Sequence, residues 1–289
     1  MMVAAAAKPK SINIRRYLKE ENMKYLVRIA LAITLMYSVQ SCGLLSAAGI
    51  SSQGQPTVEV EGPLESTTSN SEVNVDHSAW DALLQKHVAS DGLVDYQGFK
   101  EDKAAMDAYL SQLATYTPTD EWSVQELLAF YINIYNAYTV DLIVDNYPVK
   151  SIKDIDGPWT KGIALVGDKK LSLGGIENGI LRKMNEPRIH FAINCASISC
   201  PKLSNEAYVA SKINEQLDRA ANDFINSDKN ELSPSNPMLS SIFDWYQKDY
   251  LVVGEQDVIG YINQYAAVKI NTNATLDYKE YDWNLNEQN

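Results

Sequence analysis

The sequence predicts an α+β fold, a single mainly helical domain packed on a small sheet. Three observations predict it. Ser123 opens a capping box with Glu126, and the chain then stays apolar nearly all round to about Asp145, the mark of a long buried central helix. Several other segments carry apolar residues at helical spacing, and only a few short ones alternate like strands. Ahead of all of them stand a signal-like segment and a polar stretch too poor in large apolar groups to build a core.

The front of the chain reads as an address. Residues 24–42, KYLVRIALAITLMYSVQSC, join a positive start (Lys24, Arg28) to an apolar run from Ile29 to Val39. That run suits a secretory h-region of roughly 7–15 residues and falls short of the roughly 18–20 a membrane span needs. Ser41-Cys42 at its end resembles a bacterial lipoprotein signal, so 1–42 is expected as a signal peptide with Cys42 lipidated and the membrane as partner. The alternatives are a secreted or periplasmic protein cut near Ala47–Ala48 and a retained anchor. Met23 starts a better signal than Met1. Residues 43–75 are expected as a flexible linker and 76–289 as one domain.

Charge excludes one class of partner. Of 25 basic and 37 acidic residues, seven and two stand before residue 43, which leaves a balance of −17 for the rest. Such a body repels phosphate backbones, so general nucleic-acid binding is excluded. Seventeen Tyr and five Trp against five Phe point to buried rings whose polar tips need partners.

Within the domain, helices are expected over Ala79–Ala89, Lys100–Leu113, Ser123–Asp145 and Ile176–Met184, over a segment capped by Ser204 that carries Ile213, Leu217 and Phe224, and over Ile242–Tyr250 and Gln256–Ala267. Ile163–Val166 and Lys170–Leu173 flank Gly167-Asp168 as a hairpin. Arg188–Asn194 alternates as a strand, and Thr275–Trp283 reads as an edge strand. Lys153–Pro158 lacks the spacing of a calcium loop and reads as a turn. Phe243, Trp245, Tyr246 and Tyr250 are helically spaced and read as core.

Three stretches are distinctive together: AFYINIYNA from Ala129, IENGILR from Ile176, and PRIHFAINCASISCP from Pro187. They resemble the family called domain of unknown function 547, over roughly Asp76 to Asn289. The resemblance implies a bacterial envelope or plant setting and no established activity. Tyr131 stands where the family commonly has Trp, and Asn178 where it often has His.

The candidate chemistry lies in these stretches. Cys195 is the candidate nucleophile. As the first residue after a strand, with Asn194 as cap, it is expected at the N-terminus of a helical turn, which favours thiolate. His190 is the candidate base, Glu177 a base or orienter. An extended Arg188–Asn194 would put His190 roughly 16 Å from Cys195, which argues against a direct dyad; His87 is the alternative base. Asn133 and Asn136 share one helix face, and either clamp neighbouring backbone or orient a catalytic group, Asn133 being the orienter candidate. Glu177, Arg182 and Arg188 form either a charge network or part of a site. Cys195 and Cys200 admit a disulfide in an oxidising compartment, a reading that competes with the helical turn. No metal is expected, since C-x4-C with one His lacks a fourth ligand, and no cofactor motif occurs. The leading expectation is a lipid-anchored thiol-dependent hydrolase or transferase of the cell envelope. The alternative is a non-catalytic binding or assembly module with a structural Cys195–Cys200 pair.

The signal pattern predicts two acyl chains on Cys42, enough for stable anchoring where one is marginal. A fatty-acid probe fed to cells should label the wild type and not Cys42→Ala, and the variant should leave the membrane fraction. Equal labelling of both removes the reading.

Overall fold

The structure, a computed structural model, describes residues 44–288. The signal segment and Cys42 lie outside the described residues. The fold is mixed α+β and mainly helical. In chain order it contains α1 (Ser78–His87), α2 (Tyr96–Glu101), α3 (Lys103–Leu113), α4 (Val124–Asn146), the hairpin β1 (Ala164–Val166) and β2 (Lys169–Leu171), a π-helical turn over Gly175–Ile180 with a 3-10 turn over Leu181–Met184, and α5 (Ile189–Ala192). Then follow α6 (Ile213–Ile225), β3 (Met238–Leu239), α7 (Ile242–Trp245), β4 (Leu251–Val252), β5 (Glu255–Gln256), α8 (Val258–Tyr265) and β6 (Asp277–Tyr278). Among the described residues the strands make three two-stranded pairs: β1–β2 and β4–β5 antiparallel, β3–β6 parallel.

The expected central helix is α4. Ser123 caps it by accepting from the Glu126 N–H at 3.2 Å. Glu126 does not complete the box. Its carboxylate accepts from the Val75 N–H at 2.8 Å instead, because residue 75 runs past the helix start. The helix is long and apolar enough to cross a membrane, but 89% of its apolar window is buried inside the fold, which makes it a core element here. Its buried polar groups are handles for other segments. Gln125 donates to the Glu65 carbonyl, and Thr139 to the Tyr135 carbonyl within the helix.

Among the described residues two hydrophobic cores result. The larger surrounds α4 and takes in Trp80, Phe99, Met106 and Leu171. The smaller joins Phe191, Phe224, Phe243, Tyr250 and Tyr261. Arg188–Asn194, expected as a strand, holds the helical turn α5 instead. A strand would point its side chains to two faces only, whereas a helical turn sends successive residues about 100° apart. Ile189 and Ala192 enter the larger core and Phe191 the smaller one. Three distinct surroundings, not two, decide between the conformations.

Other expectations shift by a few residues. The Ile176–Met184 helix is wound as π and 3-10 turns. The helix assigned to a Ser204 cap begins at Ile213, after a 3-10 turn over Ala210–Lys212. Ile242–Tyr250 breaks into α7 and a 3-10 turn over Gln247–Asp249. Residues 46–75, read as a linker on composition, build no core of their own; in the structure they lie along the domain. Leu64 and Val75 are buried against the larger core, and the Val60 N–H donates to the Met184 carbonyl at 2.8 Å.

His77, just before α1, is buried with Nδ1 2.7 Å from the Tyr109 hydroxyl. Burial lowers its pKa to about 4, against the opposing pull of Asp76. The folded chain therefore keeps His77 neutral where the unfolded chain, with a usual value near 6.5, takes up a proton. Stability should fall as pH drops from about 6.5 to about 4, by up to about 3 kcal/mol from this group, and level off below. Urea unfolding across that range should show the loss, and His77→Gln should flatten it. An unchanged slope in the variant refutes the assignment.

Candidate functional site

A cavity of about 460 Å³ opens where α4, the π-helical turn, α5, the loop after it and the C-terminal segment meet. Its lining includes Glu177, His190, Cys195, Cys200, Tyr135, Tyr246 and Tyr281. Four residues singled out from sequence thus share one space, and α5 explains how: its third direction, left over from the two cores, points His190 at the cavity.

The loop after α5 is fixed by amides. On α4, Asn136 donates to the Ala192 carbonyl at 2.9 Å and accepts from the Asn194 N–H at 2.8 Å. Asn194 in turn donates to the Pro201 carbonyl at 2.7 Å and accepts from the Ala196 N–H at 2.8 Å. It therefore ties the two ends of the 195–201 loop together. Ala196 sits at φ 57°, a left-handed conformation that costs a non-glycine residue about 1 kcal/mol. No helical turn begins at Cys195. The residue lies in irregular backbone, so the expected helix N-terminus is absent.

The folded-back loop brings the cysteines together. Both are free thiols, with Sγ atoms 2.8 Å apart. The Cys195 sulfur also lies 3.2 Å from each of the Ser197 and Tyr281 hydroxyls, whose oxygens are 3.1 Å apart. The hydrogen bond from Cys200 lowers the Cys195 pKa most. Burial opposes it, Ser197 and Tyr281 add to it, and the nearby Glu177 works against it. Cys200 moves the other way, pushed up by burial and by its bond to Cys195. The pair thus divides its roles, with Cys195 toward thiolate and Cys200 as protonated donor. The cause is a set of neighbouring S–H and O–H donors in place of a helix terminus.

Across the cavity, His190 is bonded through Nε2 to Asp249 Oδ2 at 2.8 Å. Burial resists ionisation of Asp249, but hydrogen bonds from His190 and Arg182 outweigh it and hold the carboxyl far below the usual range. An ionised carboxylate only accepts, so Nε2 carries a proton, and the lone pair of the uncharged ring form would lie at Nδ1. Nδ1 is buried with no hydrogen-bond partner among the described residues. The Tyr246 ring stacks on the imidazole with centroids 4.0 Å apart, and its hydroxyl donates to Glu177. Tyr135 donates to the other Glu177 oxygen at 3.3 Å. Burial first, then Glu177, pushes the Tyr246 phenol up, which keeps it a donor.

The remaining expected residues divide into supports and bystanders. Arg182 grips Asp249 with two hydrogen bonds, at 2.6 and 2.8 Å, and reaches Asn178 at 2.9 Å. Arg188 is elsewhere, paired with Glu186, Asp218 and Asn214. The expected Glu177–Arg182–Arg188 network is therefore split, because α5 turns Arg188 away. Asn133 clamps both backbone groups of Tyr208, at 2.7 and 3.0 Å, and lines no part of the cavity. That removes it as an orienter. His87 bonds Asp102 at 2.7 Å and does not line the cavity, which removes it as a base. No hydrogen bond joins His190 to Cys195, so the sequence reading of His190 as base to the thiol is replaced by the donor set above.

Sequence reasoning missed Asp249, Tyr246, Tyr281 and Ser197. Helical spacing alone places Tyr246 in core, and Tyr281 falls in the segment that reads as an edge strand; their only signal is the excess of Tyr needing hydroxyl partners. Among the described residues, no three His, Cys, Asp or Glu side chains converge on a metal-sized centre.

These features define a mainly helical α+β domain with a paired-thiol cavity. Residues 119–225 match the family described as a protein of unknown function, DUF547. The resemblance carried by the three stretches is thereby shown, and the match spans Glu177, His190 and both loop cysteines. Tyr246, Asp249 and Tyr281 fall beyond it. No curated protein and no solved structure matches the chain.

Iodoacetamide should alkylate Cys195 rapidly, with an apparent pKa below the reference of about 8.5. Cys200→Ala and Tyr281→Phe should each raise that value, since each removes a donor. His190→Ala should leave it in place. A rise in the His190 variant alone would show that the imidazole, and not the donor set, governs the thiol.

Proposed function

We propose that the cavity is the active site of a thiol-dependent hydrolase or transferase acting on acyl compounds, carried on a lipid anchor at Cys42 in the cell envelope. One observation carries the reading: a free thiol biased toward thiolate shares a cavity with an Asp-held imidazole whose buried Nδ1 has no partner among the described residues. Cys195 attacks the acyl carbon. A C–S bond forms, and the bond to the leaving group breaks, that group departing with the electron pair and taking from solvent a proton that Nδ1 returns at the end of the cycle. Water or an acceptor then loses a proton to Nδ1, attacks the thioester and frees Cys195. Asp249 fixes the imidazole tautomer, Arg182 holds Asp249, and Glu177 orients Tyr246 against the ring.

A second reading, a binding or assembly module with a structural cysteine pair, has its own support in the 2.8 Å approach of the two sulfurs. Thiol state separates the two. A quantitative Cys195–Cys200 bridge in protein from the envelope, found by non-reducing mass spectrometry, selects the binding module.

With free thiols, p-nitrophenyl acetate should give a burst of nitrophenol of one equivalent that Cys195→Ala abolishes. His190→Gln and Asp249→Asn should keep the burst and slow turnover by about 10²-fold or more. Equal rates for the wild type and Cys195→Ala overturn the catalytic reading.

A further inference from the structure

The cavity has a second property that thiol chemistry does not use. Six aromatic rings line it: Tyr135, Trp159, Trp245, Tyr246, Tyr281 and Trp283. Four of them form a continuous wall. Ring centroids are 4.8 Å apart for Trp245–Tyr281, 4.6 Å for Tyr281–Trp283 and 5.7 Å for Trp159–Trp283. Trp245 is 46% exposed, although three Trp in one wall are ample apolar material for a core. Exposed ring faces at a cavity need a reason, and a ligand supplies one.

Charge narrows the ligand. Glu177 lines the cavity and is 7% exposed. Among the described residues no Lys or Arg lines it, and His190 already faces Asp249. The nearest cations show what these rings attract. Arg182 lies 5.2 Å from the Tyr246 centroid and Lys153 5.0 Å from that of Trp283, yet neither lines the cavity. An anionic ligand would meet Glu177 with no partner of opposite sign.

Hydrogen bonding separates the remaining neutral and cationic classes. A saccharide needs several free donors and acceptors beside the ring it stacks on. Here the Asn178 amide is engaged with the Ala47 carbonyl and Arg182, and both Glu177 oxygens are taken by phenols. A cation asks for less directed bonding: ring faces and a nearby negative charge suffice.

We infer that the aromatic wall and Glu177 form a subsite for a cationic group, an alkylammonium or guanidinium arm on the molecule presented to Cys195. The inference rests on the cavity being the active site. It places the positive arm against Trp245, Trp283 and Tyr281, with Glu177 supplying the counter-charge.

Two measurements test it. In Cys195→Ser protein, Trp fluorescence is titrated at constant ionic strength with tetramethylammonium chloride, its neutral isostere tert-butanol, and methyl glucoside. Saturable quenching by tetramethylammonium alone is expected, weakened about tenfold by Glu177→Gln or Trp245→Leu. Equal binding of the isostere, or binding of the glucoside alone, overturns the subsite. None of these ligands is an electrophile, so the outcome is independent of the ester test of catalysis.

The second arm uses Cys200→Ser protein and two methanethiosulfonates, one bearing trimethylammonioethyl and one sulfonatoethyl. The Cys195 sulfur forms a disulfide bond to the reagent sulfur, and methanesulfinate leaves with the electron pair of the broken S–S bond. The rate ratio of cationic to anionic reagent, divided by that for glutathione, cancels thiol reactivity. It should exceed about ten and collapse toward one in Trp245→Leu. A wild-type ratio at or below one overturns the inference.

Discussion

The site depends on the two hydrogen bonds made by Asn136. This side chain, enclosed in the larger core, holds the Ala192 carbonyl and the Asn194 N–H at once. Those groups are where α5 ends and the cysteine loop begins. A buried amide left without partners costs on the order of 1–3 kcal/mol, so the arrangement is strongly specified. Once the junction is fixed, the helical turn behind it aims His190 and the loop ahead of it aims Cys195. Asn194 extends the same device by bonding to Pro201, which brings Cys200 back against Cys195. Two residues without reactive groups thus position all three reactive ones.

The same economy explains a helix with so many buried polar groups. Asn133 holds the backbone of Tyr208, Glu126 that of Val75 and Gln125 that of Glu65. Each contact is from a side chain to main chain, so it constrains position with little regard for the identity of the residue held. The apolar part of α4 supplies burial, and its polar part decides which irregular segments lie where. A domain with strands of only two or three residues needs such fixings, because sheet ladders cannot provide them.

Much of this was legible in advance. The continuous apolar character of α4 gave its length and burial, and the Gly167 hairpin followed from its turn. The gathering of His190, Cys195, Cys200 and Glu177 around one cavity could be suspected from their stretches. Their geometry could not. RIHFAIN alternates well enough for a strand, and only the presence of two separate cores and a cavity makes a helical turn the better solution. Asp249 and Tyr281 lie 59 and 86 residues from the groups they touch, and no local pattern marks a residue for so distant a partner. The Asn pairs were readable as clamps or as orienters, and only their partners distinguish the two.

The turn α5 also links the two cores mechanically. Ile189 and Ala192 belong to one and Phe191 to the other, within four residues of backbone. Neither core can come apart while this turn keeps its shape, and the turn cannot keep its shape with either core gone. An opening of either core that breaks this turn therefore also displaces His190 from the cavity.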